Sequence, residues 1–260
     1  MSSDLSPSDQ AKCAAAARAL DFVEPKMRIG LGTGSTAAWF LRLLAERIES
    51  EGLQITGVPT SGMTASMARE LGIAITTLDD AGWLDLTVDG ADEFDPHLNL
   101  IKGGGGALLQ EKIVATASDR MIVISDESKA VETLGAFPLP VEIVRFGWET
   151  TRSFVEEVLE GSNVLGRTTT LRENRGQAFI TDEGHFILDL HLRQIGDPRE
   201  LGAQLVEIPG VVETGLFTDI ADLVVVGSSS GEVQLLDVEE EPLSGFLTEA
   251  AGPNLLSSDT

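Results

Sequence analysis

The spacing of apolar and polar positions changes period several times along the chain, and each change marks an element. Ser6-Pro7 opens a helix through AKCAAAARAL, with Pro7 in the first turn, where its missing N–H is no loss. Met27 to Leu31 reads as a strand, Gly32 to Thr36 as a turn, and the amphipathic stretch that follows predicts a helix to about Glu49. Leu53 to Val58 reads as a second strand. Ser61 starts a helix ending near Gly72, and Ile73 to Thr76 extends again. Leu86 to Val88 is a short strand running into an acidic turn. After a glycine run, Leu108 to Ala117 is helical and Met121 to Ile124 is a buried strand. Strand–helix alternation of this kind predicts a parallel sheet covered on both faces.

The pattern shifts after Pro138-Leu139-Pro140. Val141 to Val144 is a strand and Thr151 to Leu159 a helix. Ala178 to Thr181 and His185 to Leu190 form a hairpin turning at Asp182-Glu183-Gly184; Pro198 to Leu205 is a helix and Val211 to Leu216 a strand. The order β-α-β-β-α-β is that of a split βαβ, or ferredoxin-like, unit. Leu223 to Val226 is again wholly apolar and is expected to rejoin the first sheet. The expected organisation is one α/β domain over 1–136 and 217–238, an α+β domain at 137–216, and an acidic, loose tail over 239–260.

Charge narrows the partners. Lys+Arg is 18 against 42 for Asp+Glu, a formal net charge of −24. Such a surface repels phosphate backbones and anionic lipid, which excludes nucleic acid and membrane as natural partners. No apolar run is long enough to span a bilayer, the polar start MSSDLSPSDQ is not a secretory signal, and the single Cys13 fits a reducing cytoplasm. An acid excess with scarce lysine also suits a salt-rich cytoplasm, where counterions screen self-repulsion. Lysine occurs only at Lys12, Lys26, Lys102, Lys112 and Lys129, so each is a candidate to hold an anionic substrate.

Three turns fall at the carboxyl ends of predicted strands, where open α/β sheets bind ligands. The first, Gly30 to Thr36, places Gly34 and the hydroxyls of Thr33, Ser35 and Thr36 at a helix start, suited to a phosphate or carboxylate. Its G-x-G-x-G spacing departs from the dinucleotide fingerprint, and no Walker lysine follows. The second, Asp89-Gly90-Ala91-Asp92-Glu93-Phe94-Asp95, can move protons, hold sugar hydroxyls or bind Mg²⁺, or be a solvated acidic loop; it lacks the spacing of an EF-hand. The third is Lys102-Gly103-Gly104-Gly105-Gly106. Four glycines are costly in chain entropy, and their N–H groups suit an anion-binding nest beside Lys102. Glu111 follows on the next helix, and its side chain leans back towards that helix's start. His97, His185 and His191 match no metal-ligand spacing, Cys13 reads as a small core residue, and Gly227 to Gly231 reads as a hairpin turn ahead of a further phosphate contact.

In this order the segments GLGTGSTA, VDGADE, IKGGGGALLQEKI, SDESK, FPLPVEI and IPGVVETGLF resemble A-type ribose-5-phosphate isomerase, from about Lys12 to about Val238. The resemblance implies a Rossmann-like parallel-sheet domain with an inserted ferredoxin-like α+β lid. It implies an aldose–ketose isomerase of the pentose phosphate pathway, without cofactor or metal, cytoplasmic, and a homodimer or homotetramer. The family's general base falls on Glu111. Its substrate-contacting turns fall on Thr33 to Thr36, on Asp89 to Asp92 and on Lys102 to Gly105, and its remaining site lysines fall on Lys129 and Lys12. The chain departs at Gly106, where alanine is common, and at Leu109-Gln110. The rival classes are a CoA transferase, which would form a covalent adduct on a glutamate, and a sugar-phosphate sensor, which would bind without turnover.

Overall fold

The computed structural model describes residues 5–237; the tail expected over 239–260 lies outside them. The chain divides into two compact units. The first comprises residues 5–91, Gln110–Ala130 and 219–237, the second Asp92–Leu109 and Val131–Thr218.

In the first unit, helix α1 (Pro7–Ala19) starts at Ser6, whose hydroxyl accepts from the Asp9 N–H. Then come β1 (Arg28–Leu31), α2 (Ser35–Glu51), β2 (Thr56–Pro59), α3 (Gly62–Glu70), the single turn α4 (Leu78–Ala81) and β3 (Leu86–Gly90). Gly52 ends α2 in a left-handed conformation that glycine adopts without strain. The chain then enters the second unit for β4 (Glu93–Phe94) and β5 (Leu100–Ile101). It returns along α5 (Leu108–Thr116) to β6 (Met121–Asp126). The second unit continues with β7 (Leu139–Ile143), α6 (Trp148–Gly161), β8 (Thr168–Leu171), β9 (Glu173–Asn174) and β10 (Gln177–Ala178). Its last elements are β11 (Phe186–His191), α7 (Pro198–Val206), β12 (Val211–Thr214) and β13 (Leu216–Phe217). Strands β14 (Leu223–Gly227) and β15 (Val233–Asp237) complete the first unit.

The first unit is built on a six-stranded sheet of order β15-β14-β6-β3-β1-β2, parallel except for the edge strand β15. Every residue of β6 and β14 is buried, which is why Met121–Ile124 and Leu223–Val226 read as unbroken apolar runs. Phe40, Leu41 and Leu44 of α2 pack into this core with Ala15, Ala16 and Ala19 of α1. Each fully buried leucine or phenylalanine contributes about 1.5–3 kcal/mol. The alanines let α1 approach closely: an ideal Cβ on Gly227 would lie 2.0 Å from the Ala11 carbonyl oxygen.

The second unit carries an antiparallel sheet of order β12-β7-β11-β8, with Val155 and Leu159 of α6 and Leu201 and Leu205 of α7 in its core. The α/β class and the β-α-β-β-α-β order are those expected. The hairpin is not. β11 pairs with β8, whereas Ala178 pairs back with Glu173 in a two-residue ribbon. Thr168–Leu171 reads TTTL, buries only Thr169, and so carries no apolar alternation to announce a strand. The strand expected over Val211 to Leu216 breaks at Gly215. There a Cβ would lie 2.2 Å from the Lys102 carbonyl oxygen, and Leu216 passes into a separate sheet, β13-β5-β4.

Candidate active site

The glycines of the first turn are dictated by the neighbouring strand. A Cβ on Gly30 would lie 2.1 Å from Thr87 Oγ1, and one on Gly32 would lie 2.2 Å from Asp89 Oδ1. Asp89 is fully buried at the end of β3, and its Oδ1 accepts from the N–H groups of Thr33 (3.0 Å) and Gly90 (2.7 Å). The Thr33 hydroxyl is buried in a cluster with those of Thr60, Ser61 and Thr64, at 2.8, 2.9 and 3.0 Å. Such a closed network fixes the turn's shape. Gly34 differs: it has φ +109°, open space where a Cβ would stand, and no side chain capping α2 beyond it. Gly34 and Ser35 are exposed and Thr36 is half-buried, so this helix start presents N–H and hydroxyl donors.

The third turn, in the second unit, is held by side chains. Asp92 is half-buried and its Oδ2 accepts from the Gly104 N–H at 2.7 Å; a Cβ on Gly104 would lie 2.6 Å from Asp92 Oδ1. Gly103 (φ +100°) and Gly106 (φ +84°) take backbone conformations that strain other residues, and the Gly106 N–H donates to the Gly103 carbonyl at 3.0 Å. Gly103 and Gly106 are buried, whereas Gly104 and Gly105 are exposed. Lys102 is 2% exposed, its ammonium 5.5 Å from the centroid of the Phe217 ring, and its N–H donates to the Gly215 carbonyl. Arg172 donates through Nη1 to the carbonyls of Gly103 (2.7 Å) and Gly104 (3.2 Å) and is paired with Asp189.

Glu111, 4% exposed, lies in the first turn of α5. Gly90 ends β3 and Ala91 follows it, both half-buried; Lys12 is half-buried on α1, and Lys129 is half-buried in the short helical turn capped by Asp126. The acids of the second turn serve different ends. Glu93 accepts from the N–H groups of Gly135 and Phe137, and Asp95 accepts from those of His97 and Asn99. Among the described residues no group of three or more His, Cys, Asp or Glu side chains could hold a metal ion. His191 bonds to Thr170 and His185 to the buried Glu142, so neither histidine joins these turns. Gly231 donates to Ser228 in the tight turn between β14 and β15.

The family model of ribose 5-phosphate isomerase A (phosphoriboisomerase A) matches residues 56–231. The chain belongs to this family. A ribose-5-phosphate isomerase A of Dinoroseobacter shibae is 64% identical over 259 residues, covering 100% of both chains. Among solved structures, ribose 5-phosphate isomerase from Plasmodium falciparum is 37% identical with a TM-score of 0.84, over 89% of this chain and 100% of that one. A D-ribose-5-phosphate isomerase in complex with phospho-erythronic acid is 42% identical with a TM-score of 0.82, over 88% of this chain and 99% of that one.

For an isomerase A chain, the turns were legible but their supports were not. Thr60, Ser61 and Thr64 stand 27 to 31 residues from Thr33, and Arg172 stands 69 from Gly103. No local spacing encodes such pairs; only the strand order brings them together.

Proposed function

We propose that this chain interconverts D-ribose 5-phosphate and D-ribulose 5-phosphate through an enediolate, with the Glu111 carboxylate as general base. The observation that carries the reading is a buried glutamate in the first turn of the helix that follows a glycine loop, with a buried lysine at the start of that loop. Glu111 takes the C2 proton of the open-chain sugar, the C1 carbonyl oxygen gains the negative charge, a proton passes between O1 and O2, and Glu111 returns its proton to C1. One carboxylate serves both carbons. Lys102 and the N–H groups of Gly103 to Gly105 stabilise the oxyanion, which a water-poor, preorganised setting makes effective.

Asp89 is assigned to ring opening. Asp92 holds the glycine loop through Gly104 and so bears on Lys102. Gly90 and Ala91 frame the sugar. The phosphate takes the donors of Gly34, Ser35 and Thr36, with Lys12 and Lys129 supplying charge, and Thr33 shapes that turn. The scheme calls on no cofactor or metal. Among the described residues no helix is long and apolar enough to cross a membrane. The reading extends to a cytoplasmic homodimer or homotetramer, and to a protein whose net charge of −24 favours high salt.

The test is conversion of ribose 5-phosphate in EDTA, at low and at molar KCl, beside Glu111→Gln. Turnover by the wild type and none by the variant supports the scheme. Binding without turnover by folded wild type points to a sensor, and a covalent CoA adduct to a transferase. Full stability without salt removes the halophilic reading, and light scattering reads the assembly.

A further inference from the structure

Resting on that reading, we propose that Arg172 is a positioning residue. Its guanidinium, fixed by Asp189, orients the Gly103–Gly105 peptides so that the Gly105 N–H is held as a donor for the oxyanion.

Arg172 and Asp189 have side chains only 13% and 17% exposed. Nε of Arg172 donates to Asp189 Oδ2 at 2.9 Å and Nη2 donates to Oδ1, a two-point fork that removes rotational freedom. Asp189 lies within β11, opposite Pro140 of β7 and Thr170 of β8, so the fork stands on a sheet. With that edge fixed, Nη1 meets the carbonyls of Gly103 and Gly104. A trans peptide points its C=O and N–H in opposite directions. Holding the Gly103 carbonyl therefore aims the Gly104 N–H away from the guanidinium, and there it meets Asp92. Holding the Gly104 carbonyl aims the N–H of the exposed Gly105 away as well. The positive charge on these carbonyls also polarises the peptides and strengthens their N–H donors.

The same short ribbon closes the other end of the loop. The Phe179 N–H donates to the Arg172 carbonyl at 2.8 Å, and a Cβ on Gly106 would lie 2.4 Å from the Phe179 ring. Four consecutive glycines have no side chains with which to hold a shape, so their order is imported from residues 172–179 and from Asp92.

Arg172→Lys keeps the charge and loses the fork. Its kcat should fall about 10- to 100-fold with KM within about twofold of wild type, as for a weakened oxyanion donor. Inhibition by a phosphorylated aldonate, whose carboxylate imitates the enediolate, should weaken by the same factor, while a sugar-alcohol phosphate inhibits as before. Asp189→Asn should repeat the split at a smaller factor, and it serves where Arg172→Lys fails to fold. An unchanged kcat in either folded variant, or equal weakening of both inhibitors, overturns the role of Arg172. Absence of wild-type turnover overturns the isomerase reading and this role together, whereas wild-type turnover with unimpaired variants sinks this role alone.

Discussion

The turn at Gly30–Thr36 and the loop at Lys102–Gly106 look alike in sequence: glycine-rich, each tied to an aspartate through backbone N–H groups. They are held in different ways. In the first, Gly30 and Gly32 are forced by the side chains of β3, and Asp89 is buried at that strand's end. In the second, the glycines turn the chain at positive φ, and half-exposed or charged side chains, Asp92 and Arg172, keep it in place. The first turn is a by-product of sheet packing and is as firm as the sheet. The second is a loop whose order depends on a few polar contacts, so its shape can be lost without loss of the fold.

Five changes probe that contrast, the largest effect first. Glu111→Gln should lower kcat by about 10²- to 10⁴-fold with substrate affinity nearly intact, because only the proton transfer is removed. Single-turnover and binding measurements separate the two, and retained turnover removes Glu111 from the scheme. Gly32→Ala should destabilise the fold by about 1–3 kcal/mol in denaturant titration, because the new methyl meets Asp89 in a filled core. Gly104→Ala meets the same kind of carboxylate, but a half-buried one that can move. It should leave the denaturation midpoint nearly unchanged and lower kcat; equal destabilisation by the two substitutions would erase the contrast.

Lys129→Ala should raise KM about tenfold with kcat little altered, as expected for a phosphate contact; an unchanged KM makes Lys129 a surface residue. The smallest effect belongs to Glu142, on β7 in the second unit's sheet. Burial pushes its carboxyl above the ordinary glutamate range, offset in part by hydrogen bonds from His185 and Thr181. The folded state therefore holds this proton more tightly than the unfolded one. The stability so gained is complete below the ordinary glutamate range and is lost as pH rises through the raised value. The melting temperature of wild type minus that of Glu142→Gln should fall across that window, and a flat difference would show that Glu142 does not titrate there.

Much of the fold was legible because its strongest signals are local. MIVI and LVVV are buried on both sides and read as such, and Ser6-Pro7 announces a helix start by itself. β8 and β15 escaped because one is a run of threonines and the other is only half covered. In the site, the three turns were visible as glycine and acid clusters. The reason for Gly32 was not visible, since it lies in the side chain of Asp89, 57 positions on, and the contact of Arg172 leaves no mark in LRENRG. Long-range support is a property of strand order, and strand order is what a single sequence encodes least directly.

The close seat of α1 against Gly227 has a consequence for synthesis. Strand β14 lies between β6 and β15, and its last residue is the floor on which the first helix of the chain rests. On the ribosome, α1 waits for β14 until the whole stretch 131–218 has emerged. That continuous stretch holds both helices and all four strands of its own antiparallel sheet, so it can gather before the parallel sheet closes. The nascent chain thus carries an unclosed sheet edge at β6 until β14 arrives, and the alanine face of α1 has its full partner only then.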